Sequence, residues 1–249
     1  MISLSIYSKI PMPQFPWKDE DMKYVLCFFP WVGAVIAGLT ILWGWLCGYF
    51  QIGTLAFAAV GTVIPILVSG GFHLDGFMDT MDALHSYQSR EKKLEILKDS
   101  HIGAFAVIQV LVYYFIYLGA YSALNNIKAM AVVGAGFFLS RCLSGIGVVT
   151  LRCAKKEGLL YLFSSKAHER AVKIILALQT GLCMAGMLLL SFQMGAAVIL
   201  GAIITFYYYR YRSYKEFGGI TGDTAGYFVT LCEGAIVIIA AIFCIGEFI

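Results

Sequence analysis

A chain of 249 residues that is 60% hydrophobic and 13% charged, with a mean hydropathy of +0.80, lies outside the composition of soluble globular domains and reads as a polytopic membrane protein. The formal net charge is only +3, and nucleic acid is not among the expected partners. Seven cysteines lie mostly inside apolar runs, with no C-x-x-C pair and no His/Cys ligand spacing, which argues against a zinc site and against a disulfide framework.

The first 23 residues carry Lys9, three prolines and Asp19-Glu20-Asp21 but no apolar run, so they do not read as a cleavable signal peptide. Runs able to cross a hydrocarbon core of about 30 Å follow at 24–49, 52–69, 103–124, 128–150, 171–191, 194–210 and 225–248. They predict an all-α fold: one membrane helix bundle over residues 1–249 with about seven transmembrane helices. The stretch 88–101 alternates charges with Leu94, Ile96 and Leu97 and predicts an amphipathic helix at the interface.

Basic residues give an independent check on topology, because they collect on the cytoplasmic side. Lys9, Lys18 and Lys23 precede the first run; Arg90, Lys92, Lys93 and Lys98 follow the second; Arg152, Lys155, Lys156, Lys166, Arg170 and Lys173 follow the fourth; Arg210, Arg212 and Lys215 follow the sixth. Sixteen of the 18 thus share one side, leaving Lys128 in an opposite loop and Arg141 inside the fourth run. This predicts a cytoplasmic N-terminus in a bacterial or archaeal cytoplasmic membrane. The opposite connections, near Phe50–Gln51, Asn125–Ile127 and Phe192–Gln193, are very short. Chemistry is therefore expected on the cytoplasmic side, in elements near 70–103 and 216–226.

The first of these elements holds Asp75, Asp79 and Asp82 at i, i+4 and i+7, in a chain poor in charge. On a helix they fall within an arc of about 60° along roughly 10 Å of one face, where they repel one another unless a cation intervenes. Hard oxygen ligands at this density suit Mg²⁺, which would in turn hold substrate phosphates. Gly76 removes a side chain beside Asp75, either for a ligand or for helix packing. Lys98, Asp99, Ser100 and His101 add a cation, a carboxylate, a hydroxyl and an imidazole suited to phosphate binding and proton transfer.

The second element, Gly218-Gly219-Ile220-Thr221-Gly222-Asp223-Thr224-Ala225-Gly226, leads into the last run. Glycine-rich backbone at a helix N-terminus suits anions, and Asp223 is a further candidate for a metal site; Thr221 or Asp223 is alternatively a plain N-cap. Arg141 and Glu233 lie at similar depth within apolar runs, so they predict an ion pair, with Arg141 alternatively reaching a substrate phosphate. His73 and His85 lack metal-ligand spacing, and His168 reads as solvated.

Gly70-Gly71-Phe72-His73-Leu74-Asp75-Gly76, Asp79-Thr80-x-Asp82, Lys98-Asp99-Ser100-His101-Ile102-Gly103, Ser140-Arg141 and Gly218-Gly219-x-Thr221-Gly222-Asp223 together resemble the cobalamin 5′-phosphate synthase family, also called adenosylcobinamide-GDP ribazoletransferase. The likeness runs from about residue 60 to 235. Two positions depart from the family pattern: His101 stands where Arg is usual, and Leu84-His85 follow Ala83 where Gly is usual.

The resemblance implies transfer from adenosylcobinamide-GDP to α-ribazole or its 5′-phosphate, with release of GMP. Asp75, Asp79 and Asp82 would hold Mg²⁺, and Asp99 or Asp223 would serve as base or complete the metal shell. Lys98 and Arg141 would stabilise phosphate charge, with Gly76, Ser100, His101, Gly219, Thr221 and Gly222 at the substrate. Membrane lipid is a further partner, and a homo-oligomer is left open. A CDP-alcohol phosphotransferase is disfavoured because Phe77-Met78-Asp79-Thr80 follows Gly76 in place of its x-x-Ala-Arg continuation. A prenyltransferase is disfavoured because the second element supplies only Asp223, and a transporter because the polar motifs lie on one side.

Overall fold

The computed structural model describes residues 2–12, 19–124 and 126–246. Lys18 and Asn125, used above for topology, and positions 247–248 of the last predicted run lie outside the described residues. The described chain forms eleven α-helices and a single 3₁₀ turn at Asp19–Tyr24: α1 (Ile2–Tyr7), α2 (Val25–Tyr49), α3 (Thr54–Ser69), α4 (Phe72–His85), α5 (Arg90–Ile96), α6 (Ala104–Ser122), α7 (Ile127–Thr150), α8 (Gly158–Lys166), α9 (Glu169–Leu190), α10 (Phe192–Phe217) and α11 (Gly222–Gly246).

Six helices are individually long and apolar enough to cross a membrane: α2, with the turn before it, and α6, α7, α9, α10 and α11. α3 reaches that length only together with α4, from which it is bent by 94°. Sixteen residues at 1.5 Å each give α3 about 24 Å, short of a full crossing. The protein is therefore an all-α integral membrane bundle of six full spans plus the shorter α3. Large apolar side chains such as Leu55, Phe115, Leu182 and Leu189 face outward, as a lipid-facing exterior requires.

α7 is the axial helix, buried along most of its length against α2, α9 and α11. Small residues allow that closeness: Gly33 of α2 lies against the Phe137 backbone, and a Cβ on Gly134 would stand 3.1 Å from Ala37. Five of the seven cysteines are buried.

Loops predicted to share one side do meet at one end of the bundle. Lys93 pairs with Glu216 at 2.5 Å, Lys98 with Glu157 at 2.6 Å, and the Arg152 guanidinium donates to the Gly218 carbonyl at 2.7 Å. Three local expectations change. The predicted helix over 88–101 is only α5, seven residues long; it docks on the protein, with Leu97 buried beside Leu84 and Phe217. Arg210, Arg212 and Lys215 lie inside α10, whose 26 residues, about 39 Å of helix, outrun the apolar core. His168 is not simply solvated: its Nδ1 accepts from the Ala171 amide at 3.4 Å, capping α9, and its ring stacks on Tyr24.

Candidate active site

α4 lies across the shared end of the bundle, linking the starts of α11 and α6. Gly70 (φ 65°) and Gly71 (φ 81°) make the sharp corner from α3, a left-handed backbone that only glycine adopts at little cost. Near its start, α4 presses on α11: a Cβ on Gly76 would sit 2.7 Å from the Asp223 carbonyl oxygen, and the Thr230 hydroxyl donates to the His73 carbonyl at 3.2 Å. Near its end it meets α6, where Asp82 accepts from the Gly103 amide at 2.6 Å and the Ala106 amide at 2.9 Å. Gly76 is thus required for helix contact and also lines the cavity described next.

A cavity of about 500 Å³ is walled by Asp75 and Gly76 of α4, Lys98 beyond α5, Lys155 and Glu157 of the 151–157 loop, and Ile220–Asp223 at the start of α11. The 151–157 loop is held there by backbone pairing: Ile220 N donates to Arg152 O at 2.9 Å, and Ala154 N donates to Ile220 O at 2.8 Å. Gly219 permits this approach, since a Cβ there would lie 2.5 Å from the Arg152 carbonyl oxygen. Thr221 caps α11, its hydroxyl accepting from Thr224 N at 3.1 Å while Thr224 Oγ1 accepts from Thr221 N at 2.8 Å. Gly222 stands open to the cavity, with no atom within 4 Å of a built Cβ.

The charges are strongly uneven. Burial first, and then the charges of Asp75, Asp223 and Asp82, push the Asp79 carboxyl up to about 7. Burial, and the Lys98 ammonium beside it, hold the Lys155 ammonium below the usual lysine range, although its Nζ still donates to the Leu94 carbonyl at 2.9 Å. Asp75, Asp223 and Glu157 thus share the cavity lining with Lys98 and Lys155, while Asp79 is not among the lining residues.

Not every predicted residue reaches this cavity. Asp99 and His101 pair with each other in the exposed loop, His101 Nδ1 at 2.6 Å from Asp99 Oδ1, and neither they nor Ser100 line it. Hydrogen bonds from His101 hold the Asp99 carboxyl below the usual range, which weakens it as a proton acceptor. Arg141 is buried in the bundle, where its Nη1 donates to Glu233 at 2.6 Å and to the Phe137 carbonyl at 2.8 Å; it lines no part of the cavity. Of the three helix-spaced aspartates, Asp82 is committed to the α6 amides. Lys155 and Glu157 were not singled out by sequence, where they looked like any members of a basic loop; only the pairing with Ile220 brings them in.

Among the described residues no three His, Cys, Asp or Glu side chains converge into a ready-made ion cage. Mg²⁺, however, keeps several waters and takes one or two carboxylates together with substrate phosphates. Asp75 and Asp223 on the cavity wall, with Asp79 near enough for burial and their charges to raise its carboxyl, are a donor set of that kind.

An apolar helix bundle with a charge-rich cavity at one end defines a polytopic integral membrane protein with a polar site where its basic loops gather. The family model described as cobalamin-5-phosphate synthase matches residues 1–241, and the chain belongs to that family. A curated relative from Lachnoclostridium phytofermentans, named adenosylcobinamide-GDP ribazoletransferase, is 44% identical over 96% of this chain and 92% of its own length. Relatives of the same name from Clostridium botulinum (34% identical; 94% of this chain, 92% of the relative) and Clostridium perfringens (30%; 93% and 92%) follow the same pattern. No solved structure matches the chain.

Proposed function

We propose that this enzyme transfers the corrinoid phosphate of adenosylcobinamide-GDP to α-ribazole or its 5′-phosphate, releasing GMP, with the chemistry at the Asp75/Asp223 cavity. The observation that carries the reading is the meeting of Asp75 and Asp223 with Lys98 and Lys155 around about 500 Å³, inside a chain of this family. A cavity of that size suits the nucleotide end of the donor and leaves the macrocycle outside.

Phosphoryl transfer needs charge neutralisation and in-line positioning more than covalent help. The bond that forms joins the acceptor 3′-oxygen to the phosphorus on the corrinoid side. The bond that breaks links that phosphorus to the bridging oxygen, so GMP leaves with the electron pair. Lys98 and Lys155 offset charge on the diphosphate, and the open backbone at Gly222, leading into α11, offers amides to an anion. Mg²⁺, held by Asp75 with Asp79 or Asp223, would add Lewis-acid neutralisation of the phosphates. Asp223 is the better-placed acceptor for the hydroxyl proton, since Asp99 lies outside the cavity and is already hydrogen-bonded by His101.

The gathering of basic loops at the catalytic end supports a cytoplasm-facing site in the cytoplasmic membrane. The deciding experiment measures GMP release by purified protein with donor and acceptor, with and without EDTA. Asp75→Asn and Asp223→Asn are expected to lower kcat at least a hundredfold, on the order of 3 kcal/mol in transition-state stabilisation. Wild-type turnover in either variant, or indifference to EDTA, would sink the corresponding assignment.

A further inference from the structure

A second and larger cavity, about 770 Å³, opens beside the first, and the two share only Phe72 and Asp75 among their lining residues. Its other wall comes from the N-terminal segment, which the chemistry above does not use. Among the described residues Lys9 is the one cation lining it.

Lys9 is held in place on two counts. Its backbone amide donates to the Val68 carbonyl at 2.9 Å, tying the segment to the end of α3. Its aliphatic stem lies directly over Gly70, so closely that any side chain at Gly70 would displace it. The corner glycine thus turns the chain into α4 and also clears the space that Lys9 occupies. Among the described residues no carboxylate forms an ion pair with the Lys9 ammonium, whereas Lys98 in the neighbouring cavity is already paired with Glu157.

We propose that this larger cavity is the acceptor site, and that Lys9 binds there the 5′-phosphate of a ribonucleoside monophosphate acceptor. The proposal rests on the transfer reaction above and assigns its second substrate. In-line displacement requires attacking and leaving oxygens on opposite sides of phosphorus. Two cavities that share Phe72 and Asp75 in their lining offer two directions of entry, the acceptor entering from the Lys9 side and the diphosphate lying on the Lys98 and Lys155 side. A compact ammonium on the wall of this cavity matches a terminal phosphate and leaves the sugar hydroxyl pointing to the junction with the first cavity, whose lining holds Asp223.

The test compares wild type, Lys9→Ala and Lys9→Arg in nanodiscs of zwitterionic lipid, with α-ribazole and with its 5′-phosphate as acceptors at saturating donor. Equilibrium binding of the 5′-phosphate in the absence of donor gives a second readout. Lys9→Ala is expected to raise KM for the phosphorylated acceptor about tenfold to a hundredfold, with a far smaller effect on kcat and on KM for the unphosphorylated nucleoside, and to weaken direct binding in parallel. Lys9→Arg should restore most of the selectivity. Equal effects on both acceptors would overturn the assignment. So would a defect that appears only when anionic lipid is added to the nanodisc, which would assign Lys9 to a lipid headgroup. Absence of GMP release by the wild type with either acceptor would instead overturn the transfer reading itself.

Discussion

The Arg141 guanidinium and the Glu233 carboxylate meet at 2.6 Å inside the bundle, both removed from solvent, and tie the axial helix α7 to α11. An unpaired charge at that depth costs at least about 2.5 to 3.5 kcal/mol. Arg141→Met and Glu233→Leu are each expected to destabilise the protein by about 3 to 5 kcal/mol, and the double variant by less than either, because it leaves no orphaned charge. Thermal unfolding in detergent measures this, and additive losses would refute the coupling.

Asp82 makes a separable prediction. Its carboxylate accepts two amide hydrogen bonds at the start of α6, so Asp82→Ala should cost about 1 to 2 kcal/mol of stability, the usual range for a lost N-cap. Asp75→Ala, with no such bonds to lose, should instead weaken Mg²⁺ dependence with little change in unfolding. If the two variants shift the Mg²⁺ requirement equally, Asp82 is a metal ligand after all.

Asp79 sets a pH dependence. Its carboxyl is raised from 3.8 to about 7 in the folded protein, so folding favours the protonated form. The ionised group therefore destabilises the metal-free fold above the unfolded value, increasingly so until the pH passes about 7. After discounting for partial exposure, Asp79→Asn should stabilise the EDTA-treated protein at pH 8 by on the order of 1 kcal/mol, with no gain near pH 4. In the same range Mg²⁺ competes with a proton, so its apparent affinity should fall by up to about tenfold per pH unit below 7. Calorimetric titration at pH 6 and pH 8 checks the sign, and a flat profile would count against it.

Gly76→Ala probes the contact that shapes the cavity. A methyl group there would stand 2.7 Å from the Asp223 carbonyl, so the start of α11 must shift, at a cost of about 1 to 3 kcal/mol. Because Asp75 and Asp223 line the same wall, turnover should fall more than tenfold even where the variant stays folded, a loss that a kcat measurement beside a melting curve would separate from simple destabilisation.

Membrane class, the helices and the gathering of basic loops were legible in the sequence, because a bilayer imposes length and apolarity on each span regardless of partners. The Arg141–Glu233 pair was legible as well, since two charges at matching depth must find each other. The helix spacing of Asp75, Asp79 and Asp82 was also visible, but spacing along one helix does not say what each oxygen faces. Asp82 turns to α6, and the length of α5 was overestimated because its charge pattern suits a membrane surface and a protein surface equally well.

What the sequence determined by itself was a membrane helix bundle with its polar motifs gathered on one side, and the family it resembles; both follow from local composition and order. Only the tertiary structure decided that Asp99 and His101 stay outside the cavity, that Lys155 enters through the pairing of its loop with Ile220, and that the N-terminal segment lays Lys9 over Gly70. The contacts of Ile220 with Arg152 and Ala154 and of Lys9 with Gly70 join positions 61 to 68 residues apart, and no periodicity along the chain encodes them.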